Sequence, residues 1–137
     1  MFQLPALRPV LPAGLDRKTP YGYVRGVTLA LEDLADPAAA AALEAKLDEK
    51  WVGRNAVTDA TALPSLGGYE VPPETEKCLV EIAFARALLA SGDPKGTARR
   101  ILESYRRDVR GFLALHASRI LSEHEKGGSA HLIHLTP

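Results

Sequence analysis

Cysteine is nearly missing from this 137-residue chain: Cys78 stands alone, so no internal disulfide can form and the fold must rest on packing. Aromatic residues are scarce too, at 6% with a single tryptophan. Net charge is zero, with 17 basic against 17 acidic side chains, so no strong overall field draws the chain to nucleic acid or an anionic surface. No apolar run reaches the ~20 residues that span a bilayer. The start, Met1-Phe2-Gln3-Leu4-Pro5, lacks the basic flank and continuous apolar core of a signal peptide. A chain without disulfide, anchor or leader reads as cytoplasmic. Also lacking are a Gly-x-Ser-x-Gly elbow, a phosphate-binding loop and the Gly-x-Gly-x-x-Gly turn of dinucleotide sites, which removes the commonest sequence grounds for an enzyme or a bound cofactor. No metal is expected.

What is present is 46% apolar residues, and a chain this long can bury roughly two-thirds of the surface its unfolded form exposes. Proline supplies the first map, because inside a helix it removes a hydrogen bond and clashes with the preceding turn. Pro5, Pro9, Pro12 and Pro20 with Gly14 make residues 1–20 extended, yet Phe2, Leu4, Leu7, Val10, Leu11 and Leu15 are too apolar for a solvated linker. The segment reads as a strap lying along a helical surface. Pro64, Pro72, Pro73, Gly67 and Gly68 mark a long loop over 52–72, a length that in a compact domain is usually functional or mobile.

Between these breaks the periodicity is helical. Val24, Val27, Thr28, Leu31 and Leu34 recur at spacings of three and four, predicting a helix over 21–34. Asp36-Pro37 reads as an N-cap with proline at the first helical position, opening a second helix to about Trp51. Residues 74–91 are apolar on two sides, as a central helix should be. Asp93-Pro94 repeats the cap-and-start signal. The pattern from Ala98 through Leu121 fits either one helix of about 45 Å or two helices with Asp108 capping the second. Gly127-Gly128 ends the helical domain 21–126 and leaves a tail, 127–137.

The stretch 23–43, with Asp36-Pro37 between its two helices, resembles a HEAT-like repeat of the bilin-lyase type, and 85–98, with Asp93-Pro94, resembles a weaker second copy. The resemblance implies an all-α protein of two HEAT-like antiparallel helical hairpins, closed by a C-terminal helix and the N-terminal strap, and a scaffold-like role. Residues 92–121 are also similar to helical C-terminal regions of bacterial flavin-dependent oxidoreductase-like proteins. Without the dinucleotide turn, that similarity implies an accessory region that lacks the chemistry.

Charge is unevenly laid out. Residues 32–49 carry six acidic side chains against Lys46, whereas 95–126 carry eight basic and four acidic. Arg99, Arg100, Arg106, Arg107 and Arg110 are the candidate partner-binding residues, since 99, 106 and 110 share a face of a continuous helix. No aromatics alternate with them to stack bases, so a protein partner or a second copy is expected and nucleic acid is not. All four histidines fall in the last 22 residues. His131-x-x-His134 has no cysteine and no evident helix to complete a tetrahedral site. Cys78 sits in an apolar helix face and reads as a buried small hydrophobe. The leading expectation is a non-catalytic interaction or accessory module. The alternative is a ligand-binding or enzymatic domain with its site between the 52–72 loop and the helical face, using Tyr69, Arg86 and His116.

Overall fold

The computed structural model describes Leu11 and residues 14–53, 55–59 and 73–135, with 73–74 and 127–135 described by backbone alone. Five α-helices follow one another: α1 (Tyr21–Leu34), α2 (Ala40–Leu47, entered through a 3-10 turn at Pro37–Ala39), α3 (Pro73–Ala90), α4 (Thr97–Arg106) and α5 (Gly111–Leu135). Among the described residues there is no strand, and the fold is all-α.

Helix α1 forms because Val24, Thr28 and Leu31 give it one buried face. Pro20 offers it no side-chain cap. Instead Glu76 of α3 accepts the Tyr21 N–H at 3.2 Å, satisfying one of the donors a helix start leaves open. At its other end Ala35 turns left-handed, φ 45°, and donates to the Leu31 carbonyl. Asp36 then accepts the Ala38 N–H at 2.9 Å, as the Asp-Pro signal predicts.

Helix α2 stops at Leu47, short of the expected Trp51. The Asp48 N–H is shared between the Glu44 and Ala45 carbonyls, and both Val52 and Gly53 donate to Glu49, so the chain tightens into a turn. That turn sets Trp51 edge-on to Phe84, ring centroids 6.5 Å apart.

Helix α3 is the axis of the molecule. Cys78, Ile82, Phe84, Ala85, Ala87 and Leu88 are fully buried, and α1, α2, α4 and α5 all pack against it. The second Asp-Pro works differently from the first. Gly92, Asp93 and Gly96 all take positive φ, α4 begins only at Thr97, and the Asp93 carboxylate reaches forward to the N–H groups of Ala98 and Arg99 at 2.9 and 3.0 Å. Of the two possibilities at Asp108, the break is the one observed: α4 ends at Arg106, and Asp108 accepts the Arg110 N–H at 2.8 Å just before α5. The expected stop at Gly127-Gly128 is overturned, since α5 runs through both glycines to Leu135. Each glycine costs a formed helix only about 1 kcal/mol relative to alanine.

Pairings across elements fix the helix directions. Tyr21 meets Glu76 and Glu32 meets Arg86, so α1 and α3 run the same way. Arg99 of α4 meets Glu125 of α5, which makes that pair antiparallel. Thr97 at the start of α4 donates to Glu44 of α2 at 2.8 Å. Helices α1, α3 and α5 thus point one way, and α4 the other. Of the N-terminal strap, Leu15 is buried and Leu11 packs on the core, with the Leu15 carbonyl accepting from Lys46 Nζ at 3.3 Å. Residues 1–10, 12 and 13 lie outside the described part. Among the described residues no helix is long and apolar enough to cross a membrane.

Candidate functional site

The arginine stripe does not survive the break at Asp108. Arg110, expected to share a face with Arg99 and Arg106, turns inward to a two-bonded pairing with Asp108 and donates to the Asn55 carbonyl at 2.9 Å. Arg99 pairs with Glu125 and Arg106 with Glu103. Arg100 reaches back to Thr97, and Arg107 is exposed at the end of α4. Five arginines adjacent in sequence therefore have separate tasks.

Tyr69 lies outside the described residues. Arg86 and His116 do come together, on α3 and α5, but away from the loop's described residues 55–59. Arg86 Nε holds Glu32 of α1 at 2.6 Å, its Nη2 stands 3.9 Å from Glu123 of α5, and Glu32 also pairs with Arg25. Burial pushes the His116 imidazole below its ordinary pKa, helped by the nearby charges of Arg86, Arg25 and Arg119, with Glu123 pulling the other way. The described part of the loop, 55–59, rests instead on Cys78, Glu81 and Asp108. Five residues separate Glu81 from Arg86, about 140° around the helix, so the two lie on different sides of α3.

The loop side carries a polar network that the sequence reading misses. Glu81, almost fully buried, accepts from the Tyr105 hydroxyl and from the Asn55 N–H at 3.1 Å. Asp108 accepts the Val57 N–H at 2.8 Å, and Val57 in turn accepts from Val109 at 2.9 Å. Burial raises the Cys78 thiol and, more strongly, the Tyr105 phenol, which the neighbouring Glu81 raises further. Both are held protonated at neutral pH. Burial alone would raise Asp108, but bonds from the Arg110 guanidinium and from the Val57 and Arg110 N–H groups bring its carboxyl below the usual range. The one signal in the sequence was Glu81 itself, a lone charge in the apolar run 78–85.

Beside this network a cleft of about 480 Å³ opens between α2, α4 and the loop, with Glu81 and Tyr105 at its back, Arg100 and Ser104 on one wall, and Asp48 and Thr58 opposite. The expected position of a ligand site, between loop and helices, thus has a cavity, lined by other residues than Arg86 and His116.

A second feature lies on the far side. Opposite its buried face, α1 presents Gly22, Gly26, Leu29 and Asp33 to solvent, and α5 presents Phe112, Leu115 and Arg119. Phe112 is 56% and Leu115 61% exposed, and Leu29 47%. Phe112 and Leu115 lie three residues apart, on one ridge of α5. Among the described residues no three His, Cys, Asp or Glu side chains gather as metal ligands. His124 is exposed, and the side chains of His131 and His134 lie outside the described part. No protein-family model, curated protein or solved structure matches the chain.

Proposed function

We propose that the protein is a non-catalytic helical interaction module, which docks a protein partner or a second copy of itself through the outer face of α1 and α5. The observation that carries this is the exposure of Phe112 and Leu115 on adjoining turns of α5. Burying the exposed half of two such side chains in an interface supplies roughly 1–2 kcal/mol each. The protonated thiol and phenol on the loop side support a structural role for that network. A reducing, cytoplasmic setting suits the single buried thiol.

The test is co-purification of the tagged chain from its own cells, compared with the double variant Phe112→Ser/Leu115→Ser. Stoichiometric partners, or untagged copies, should be lost from the variant while its melting temperature is unchanged. Identical retention by both proteins would sink the reading.

The cleft between α2 and α4 favours a second reading, a ligand-binding domain, because concave sites with a few convergent polar groups are where small molecules bind. A thermal-shift screen of flavins, nucleotides, sugar phosphates and divalent metals decides it. A large shift from one compound, abolished by Arg100→Ala, supports that reading, and silence throughout rejects it.

A further inference from the structure

We infer that the occupant of the α1–α5 face is a second copy of this chain, related by a twofold axis that runs along the helices. The inference rests on the docking reading above and goes beyond it in naming the partner and the register.

Charge singles out the occupant. Each ridge of the face carries apolar side chains and unpaired charge of one sign, and the two signs are opposite: Leu29 with Asp33 on α1, Phe112 and Leu115 with Arg119 and Lys126 on α5. Among the described residues none of Asp33, Arg119 and Lys126 has an ion-pair partner, although their neighbours Arg25, Glu32, Arg86 and Glu123 are all engaged. An unrelated partner would have to bring both an anion and a cation at that spacing. A second copy already has them.

Helix direction then selects the symmetry. Arg86 of α3 holds Glu32 of α1 and Glu123 of α5 at one level, and both helices run the same way as α3, so residues of α1 and α5 can be matched by height. A twofold axis across the helices would set α1 against α1 and α5 against α5, so that each ridge meets charge of its own sign. An axis along the helices sets α1 of each copy against α5 of the other, in the same direction and at the same level. In that pairing Phe112 and Leu115 come opposite Gly22 and Gly26, where a side-chain carbon would meet nothing within 4 Å. Arg119 comes within about a turn and a half of Asp33 on one side and Lys126 within about half a turn on the other, and the pairing occurs twice, as an isologous interface requires.

The experiment is molar mass by light scattering of the purified full chain, over a concentration series up to its solubility limit. Twice the 14.7 kDa chain mass is expected at high concentration. Leu115→Glu should give a monomer with an unchanged circular dichroism spectrum. Asp33→Arg and Arg119→Asp should each weaken self-association about tenfold or more by placing like charges together. An equimolar mixture of those two variants should restore it, because each then supplies the other's missing sign. A strict monomer at every concentration, or a dimer indifferent to both reversals, overturns the inference. If the wild type is monomeric while Phe112→Ser/Leu115→Ser still loses a cellular partner, self-pairing fails and the docking reading stands.

Discussion

His116 stands half-buried on α5 with three guanidinium groups in range, those of Arg86, Arg25 and Arg119. Burial first, and those charges second, favour its neutral form, so its pKa in the folded chain lies below the ordinary 6.5. The unfolded chain takes up a proton near that ordinary value, while the folded chain refuses it until lower pH. Stability should therefore decline as pH falls through about 6.5 and level off below the folded value. His116→Gln should flatten that decline in urea titrations between pH 7 and 5, and an unchanged slope would show that another group is responsible. Asp108 acts in a separate, more acidic window. Its folded pKa is depressed below 3.8, so its contribution is present above that value and is lost as pH falls through the folded one. At the same scale, Gly53 is needed for space: a side-chain carbon there would meet the Leu47 carbonyl oxygen at 2.6 Å.

At the scale of elements, helix ends decide more than helix interiors. Helix α1 closes on a left-handed alanine, Ala35, a conformation that costs an L residue roughly 1–2 kcal/mol and glycine almost nothing. Ala35→Gly should stabilise the protein, by about 0.5–1 kcal/mol once the extra freedom of the unfolded chain is subtracted. An unfolding midpoint equal to or below wild type in urea would contradict this. The interiors were legible because burial follows period: Val24, Thr28 and Leu31 mark the buried face of α1, and the two-sided apolar pattern of 74–91 marks the central helix. The ends were less so. Asp36-Pro37 and Asp93-Pro94 look alike in sequence, but Gly92 and Gly96 flank only the second, and they allow the left-handed turns that delay α4 to Thr97. Leu43, Leu47 and Trp51 keep a perfect spacing of four, yet the turn after Leu47 carries Trp51 out of the helix. The arginine face failed for a related reason. Its prediction assumed one helix, and Asp108 breaks the phase between Arg106 and Arg110. The network of Glu81, Tyr105 and Asn55 was hidden because no local rule pairs residues so distant in sequence.

Over the whole molecule, one continuous core joins all five helices, and the polar network ties loop residues 55–57 to it. Val57 and Asp108, 51 residues apart in sequence, are bonded at 2.8 Å, and the Val109 N–H returns to the Val57 carbonyl at 2.9 Å. Neither amide can meet solvent without undoing the other's surroundings. In deuterium exchange, Val57 and Val109 should thus keep a common time, exchanging at one rate set by a shared opening. Should Val57 instead exchange with the rest of its loop while Val109 keeps pace with α5, the two amides answer to separate openings. A shared rate makes the loop's attachment and the α4–α5 corner a single event in the life of the folded chain.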